Sequence, residues 1–244
     1  MATVKVFYEY LNALAPFETQ EDWDNSGMLI GDMNAEVTKA AVVLDITPEA
    51  VKQSKELGAN LIVSHHPVIF HAVKNVTKGS VPFELVLNGI NAVCCHTPLD
   101  IAAGGTNDTL AELLGFEVHT GEDPFLRFGK IKETTAEKLA KHIADTLGTK
   151  VRFSDAGRPI NRIAICTGSG SSLIEEAGEI DAFITGDAGH HDFLDATQAG
   201  ITLIAAGHFE TENPVVPVLR KKLSEKFSGI EIIELKQDNP VHFI

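Results

Sequence analysis

Lys55-Glu-Leu-Gly-Ala-Asn-Leu-Ile-Val-Ser-His-His66 contains, in order, the end of a helix, a glycine stop, a short apolar run and a pair of histidines. An unbroken apolar run such as Leu61-Ile-Val63 is what a strand buried on both faces needs, the situation of a parallel sheet covered by helices. Glu176-Ala-Gly-Glu-Ile-Asp-Ala-Phe-Ile-Thr-Gly-Asp-Ala-Gly-His-His191 has the same order of features more than a hundred residues later. The echo continues. Gly89-Ile-Asn-Ala-Val-Cys-Cys-His-Thr-Pro-Leu-Asp100 and Gly200-Ile-Thr-Leu-Ile-Ala-Ala-Gly-His-Phe-Glu-Thr-Glu212 each give a glycine, an apolar strand and then His-X3-carboxylate. The chain therefore reads as a duplicated α/β unit whose strand ends carry polar groups, the place where open α/β sheets put their ligands.

Outward from these stretches, strand and helix alternate. Val6, Phe7, Tyr10, Leu11 and Leu14 have helical spacing, and Pro16 stops that helix. Ala40 to Ile46 reads as a strand, Pro48 to Leu57 as a helix closed by Gly58, and Ala59 to Ser64 as the next strand. Helix Pro82 to Asn88, strand Ile90 to Cys95 and helix Thr106 to Leu114 follow. After a drop in apolar content near residue 123, a second series begins. Its strands are Phe125 to Ile131, Val151 to Phe153, Ile160 to Cys166, Asp181 to Thr185 and Ile201 to Ala205. Its helices are Thr135 to Leu147, Ser172 to Ala177 and Asp192 to Ala199. Helix Pro214 to Phe227 and strand Ile230 to Leu235 close the chain. The expectation is an α/β protein of two related units, with mostly parallel sheets flanked by helices. Residues 1–122 with 206–244 would form the main domain and residues 123–205 a second, inserted one.

At 244 residues the chain is long enough for one or two compact units, and 44% hydrophobic with 22% charged residues excludes disordered, collagenous and coiled-coil classes. Lys and Arg total 20 against 34 Asp and Glu, a formal charge of -14 that repels a nucleic-acid backbone, so a nucleic-acid partner is not expected. Three cysteines, two of them adjacent, do not make a disulfide framework. With no apolar run of about 20 residues and no basic-apolar leader in Met1 to Leu14, the expectation is a soluble cytoplasmic protein without a membrane span.

Six of the ten histidines, His65, His66, His96, His190, His191 and His208, fall at or just past the end of an expected strand. Imidazoles with Asp100 and Glu212 offer nitrogen and oxygen donors and no thiolate, a set that suits zinc, manganese or ferrous iron. Adjacent side chains on an extended strand diverge, so His65 and His66 fit two neighbouring ions better than one, with a carboxylate to bridge them. Each residue also has a plain structural role open to it. Pro67 could simply fix a turn after the histidines. Asp100 could cap a turn before Gly104-Gly105, and Glu212 could sit near a helix N-terminus with Thr211 as N-cap. Cys166-Thr-Gly-Ser-Gly-Ser-Ser172 could cradle a phosphate on its backbone N–H groups. Trp23-Asp-Asn-Ser-Gly27 reads as a tight turn with a buried indole. What the plain roles do not explain is the same grouping occurring twice.

Trp23-Asp-Asn-Ser-Gly27, Ser64-His-His-Pro67, His96-Thr-Pro-Leu-Asp100, Thr185-Gly-Asp187 with His190-His191, and Gly207-His208 with Thr211-Glu212 occur in one order along nearly the whole chain. Together they resemble the NGG-interacting-factor-three-like family, whose members are often called GTP cyclohydrolase I type 2 homologues. The resemblance implies a metal site at strand C-terminal ends between two α/β units, holding two divalent ions per subunit. It implies ligand roles for His65, His66, Asp100 and His208, and for Glu212 as the bridge. His96, His190 and His191 match positions near that site and become candidates for proton transfer or for orienting ligands. A toroidal homohexamer, a trimer of dimers, is implied as well. The activity expected is a dinuclear metal-dependent hydrolase, with ring-opening hydrolysis of GTP or a related purine nucleotide as its reaction. The alternatives are a metal-dependent phosphoesterase and a non-catalytic metal-binding regulator or metallochaperone ring. A phosphoesterase needs cations on the transferring oxygens, for which Lys74, Lys78, Arg158 and Arg162 are the candidates.

Overall fold

The computed structural model describes residues 2–242. In chain order its elements are α1 (Val4–Leu14), β1 (Gly27–Ile30), β2 (Lys39–Val43), α2 (Pro48–Leu57), β3 (Leu61–Ser64), α3 (Val81–Leu87), β4 (Asn91–Cys94) and α4 (Thr97–Ile101). Then come α5 (Thr106–Leu113), β5 (Val118–Thr120), β6 (Arg127–Thr134), α6 (Ala136–Leu147), β7 (Arg152–Phe153) and β8 (Ile160–Cys166). The last are β9 (Ala182–Thr185), α7 (His190–Gln198), β10 (Thr202–Ala205), α8 (His208–Glu212), α9 (Val215–Lys226) and β11 (Glu231–Glu234). The chain forms two units, one of residues up to Ala102 with Val216–Pro240, the other of Ala103–Val215.

In the first unit the sheet order is β1-β4-β3-β2-β11, with the last four strands parallel and β1 antiparallel to β4. β3 and β4 are buried along their whole length, as their unbroken apolar sequence requires. Helix α2 is set by its ends. Pro48 occupies the first turn, the Thr47 hydroxyl accepts from the Ala50 N–H at 3.1 Å, and Gly58 stops the helix at φ +73. Phe7 of α1 stacks on Phe227 with ring centroids 3.8 Å apart. A core of Val43, Val51, Ile62, Leu85 and Leu235 lies against this sheet.

The second unit has the order β5-β6-β8-β9-β10-β7. Its centre, β8-β9-β10, is parallel, and its flanks pair antiparallel. Alternate residues of the central strands face opposite sides. Ile163, Ile165, Ile184 and Ile204 pack with Leu110, Leu139 and Ile143 of α5 and α6, while Ala164, Phe183 and Leu203 pack with Ile174, Ile180 and Ala196.

Both sheets are α/β and helix-flanked as expected, but the second is mixed rather than mostly parallel. Apolar runs carry no strand direction. The short link from Thr120 to Arg127 has no room for the dozen or more residues of a crossover, so β5 and β6 form a hairpin. Where a helix was expected from Ser172, a 3-10 turn stands at Gly170–Leu173. The crossings between units lie after Ala102 and Val215, whereas the sequence reading set them near 122 and 205. The physical reason is that α5 contributes Leu110 and Ala111 to the second core, with Leu114 just past its end, and β5 pairs with β6.

Candidate metal centre

In the first unit β2, β3 and β4 end in step, with Val43 opposite Ser64 and Ser64 opposite Cys94. The residues just beyond therefore leave the sheet at one edge. The backbone extends the ladder past the strand ends, with Cys95 N–H donating to Ser64 O at 2.9 Å, His65 N–H to Val43 O at 3.3 Å and His66 N–H to Leu44 O at 2.9 Å. His65, His66 and His96 converge there, with one potential ligand atom of each within 4.8 Å of the others, so the three could hold a metal ion. His65 is 1% exposed, and its Nδ1 donates to Cys95 O at 2.9 Å. His66 Nδ1 donates to Asp45 Oδ1 at 2.7 Å, and His96 Nδ1 to Asp24 Oδ1 at 2.8 Å. A hydrogen on Nδ1 puts the lone pair on Nε2, so one tautomer is selected in all three rings. His65 Nε2 lies 3.5 Å from Asp100 Oδ1.

His96 caps α4, and Asp100 lies in that helix one turn on. Asp24 fixes the helix start. It accepts from the Asn25 N–H, the Ser26 hydroxyl, His96 Nδ1, and the N–H and hydroxyl of Thr97. Burial alone would push the Asp24 carboxyl up. The bonds from His96, Thr97 and the Asn25 backbone, with the attraction of His96, outweigh it and hold the group well below the usual carboxylate range. Trp23 is not the buried indole expected of this turn. It is 56% exposed, and the buried group of the motif is Asp24.

The second unit repeats the device. β8, β9 and β10 end in step at Cys166, Thr185 and Ala205, and the Ala206 N–H donates to Thr185 O at 2.9 Å as Cys95 does to Ser64. α8 then carries His208 and Glu212 one turn apart on one face. His208 Nδ1 donates to Asp187 Oδ2 at 2.7 Å, and its Nε2 lies 3.0 Å from Glu212 Oε2. Gly168 leaves the room Glu212 occupies, since a Cβ there would lie 2.0 Å from Glu212 Oε1, and its φ is +60. Thr211 lies inside α8 and is not the N-cap of the last helix, α9, which begins at Val215. Its hydroxyl accepts from the Gly168 N–H at 3.2 Å.

A neutral ring protonated on Nδ1 presents a lone pair at Nε2, so His208 and His65 each turn an acceptor nitrogen toward a carboxylate oxygen. Such a pair is satisfied by a positive charge between its atoms, either a proton on Nε2 or a metal ion. The donor set, all imidazole and carboxylate, fits a borderline or hard divalent ion.

His190 and His191 begin α7, both exposed, with their rings 5.4 Å apart, and neither bonds to His208, Asp187 or Glu212. The Cys166–Ser172 loop is no phosphate cradle. The Thr167, Gly168 and Gly170 N–H groups are committed to Asn107, Thr211 and Thr185 side chains. Arg158 and Arg162 are held on Asp181. Cys94 and Cys95 are buried free thiols, and burial pushes both up, out of thiolate reach. Asp45 escaped the sequence reading altogether. It lies between the buried Leu44 and Ile46, inside the apolar run expected as a strand, with no spacing that ties it to His66, and the parallel pairing of β2 with β3 brings the two together.

Residues 2–240 match the family profile described as Duf34/NIF3 (NGG1p interacting factor 3). A protein of Clostridium perfringens named GTP cyclohydrolase 1 type 2 homolog is 34% identical over 95% of each chain. One of the same name from Campylobacter jejuni is 35% identical over 97% of each. Among solved structures, a hypothetical protein of Staphylococcus aureus superposes with a TM-score of 0.92 at 28% identity, covering 99% of both chains.

Proposed function

The chain belongs to the NIF3 (NGG1p interacting factor 3) family, and from that premise we propose that it is a dinuclear metal-dependent hydrolase that opens the ring of GTP or a related purine nucleotide. His65, His66, Asp100, His208 and Glu212 would hold the ions, with Glu212 as the bridge. The observation that carries this reading is the repeated anchoring of imidazoles. His65, His66 and His208 each have Nδ1 fixed by an acceptor, and His65 and His208 face a buried carboxylate across Nε2. Two divalent ions there, whether zinc, iron or manganese, would supply Lewis acidity and a water acidified toward neutral pH. The name of the Clostridium and Campylobacter relatives supports GTP as the substrate.

His96 is the proton carrier in this reading. Asp24 accepts from its Nδ1–H, which orients the ring, and a proton carried on Nε2 can be donated to the nitrogen that departs when the ring opens. His190 and His191 are exposed groups that can pass protons to solvent. The working assembly is a cytoplasmic homohexameric ring, a trimer of dimers. No helix among the described residues is long and apolar enough to cross a membrane.

Metal analysis of freshly purified protein should find two divalent ions per chain, and Glu212→Gln should lose both together. With metal bound, a nucleotide panel should show slow release of a ring-opened product, and His96→Ala should slow it while keeping the metal. Loss of a single ion on Glu212→Gln would make Glu212 a terminal ligand. A full metal complement with no turnover of any nucleotide would leave a metal-binding ring without this activity.

A further inference from the structure

We propose that Trp23 and Phe70 form a stacking platform for the planar base of a nucleoside phosphate, a role that rests on reading the neighbouring histidines as part of a nucleotide hydrolase. Trp23 is the chain's only tryptophan and is 56% exposed, and Phe70 is 40% exposed. Large apolar side chains left open together mark a binding surface. Their rings are 5.9 Å apart, and each also lies 5.9 Å from the His96 ring, meeting it at 75° and 81°. At that spacing nothing can slide between them, so a ligand ring has to lie on the outward aromatic surface, next to the His96 edge.

The platform is fixed rather than floppy. Asn25, two residues after Trp23, donates its side-chain N–H to the carbonyl of Ile69 at 2.6 Å, which pins the Trp23 turn to the residue before Phe70. Asp24 ties the same turn to His96 and Thr97. An aromatic surface held in place beforehand loses little freedom when a ring stacks on it.

What argues for a base that bears phosphate is the rest of the same loop. Residues 67–80 contain no helix or strand, and connections of that length without structure of their own are usually functional. Lys74 and Lys78 lie on it, both exposed and, among the described residues, without an ion pair, in a chain whose formal charge is -14. A neutral or cationic ring would have no use for them. Stacking tolerates any base, so the platform would set the preference for ring-bearing substrates and leave the choice of base to other contacts.

Because Trp23 is the only indole, fluorescence excited at the red edge of the absorption band, where the two tyrosines do not absorb, reads this surface alone. Titration of the full-length, metal-loaded protein with guanosine and with GTP should quench it saturably, GTP at lower concentration, and ribose 5-phosphate should leave it unchanged. Trp23→Leu should weaken GTP binding in equilibrium dialysis about tenfold or more and raise KM more than it lowers kcat, with the metal content intact. Trp23→Phe should recover most of the loss. No quenching by any base, measured on the unaltered protein and so independent of how variants fold, would overturn the platform. So would an emission change that follows protein concentration instead of ligand, which would mean that a second copy covers the rings. Turnover of GTP with an unchanged KM in Trp23→Leu would sink the platform and leave the hydrolase reading standing. Saturable quenching in a protein that turns over no nucleotide would do the reverse.

Discussion

Asp181 accepts from the backbone N–H groups of Asn161 and Arg162 at 3.1 and 2.8 Å and pairs with both Arg158 and Arg162. These contacts decide two things. They remove the arginines from any role in charge neutralisation at the strand ends, which leaves Lys74 and Lys78 as the cations available to a phosphate group. They also make stability depend on pH. Burial alone would raise the Asp181 carboxyl, but the two backbone bonds and Arg162 outweigh it and leave it lowered. A carboxyl lowered on folding stabilises the folded state above its unfolded value, about pH 4, and that contribution fades as pH falls through the folded value. Urea unfolding of the unaltered chain and of Asp181→Asn, compared from pH 7 downward, should show a stability gap that holds to about pH 4 and then narrows. A gap that stays constant to pH 2 would mean that the charge on Asp181 contributes nothing.

At the scale of elements, the strands were legible and the helices that carry the carboxylates were not. β3, β4, β9 and β10 are runs of four buried residues, and unbroken apolar sequence shows them at once. α4 and α8 have five residues each, too few for a helical period to register, so His96 with Asp100 and His208 with Glu212 were visible only as spacings. The ligand candidates could thus be found by repetition, whereas their partners Asp24 and Asp45 come from loops whose approach depends on strand order. Strand direction at the sheet flanks was invisible for the same reason. A helix of five residues does not hold itself, and α8 is held by Thr211, whose hydroxyl accepts from Gly168 and lies 2.9 Å from Gly207 O. Thr211→Val keeps the shape and removes the acceptor, stranding a buried N–H at a cost of about 1–3 kcal/mol. The expected outcome is that loss in urea unfolding, with weaker metal uptake because Gly168 and α8 no longer set the position of Glu212. Unchanged uptake would show that the helix is fixed by other contacts.

For the molecule as a whole, the family profile runs from residue 2 to residue 240, so every element from α1 to β11 lies within the matched region. The assembly proposed for it must overcome a formal charge of -14 on each copy. Like charges of that size oppose association, and apolar contact has to outweigh them. The first unit has such surface in its adjoining helices, with Leu57 at the end of α2 and Val86 and Leu87 on α3 all exposed. A closed ring buries such surfaces on every copy and leaves none to extend a filament. Light scattering at micromolar concentration should therefore give a mass six times the chain's 26.3 kDa. Added salt tests the balance of forces. It screens repulsion between the acidic surfaces and leaves apolar contact intact, so the hexamer should persist or tighten as ionic strength rises. Leu87→Glu, which places another negative charge in the apolar patch, should lower the mass if that patch lies in an interface. A mass near that of one chain at every salt concentration would refute the ring, and a hexamer that falls apart as salt rises would show that ion pairs, and not these apolar faces, hold it together.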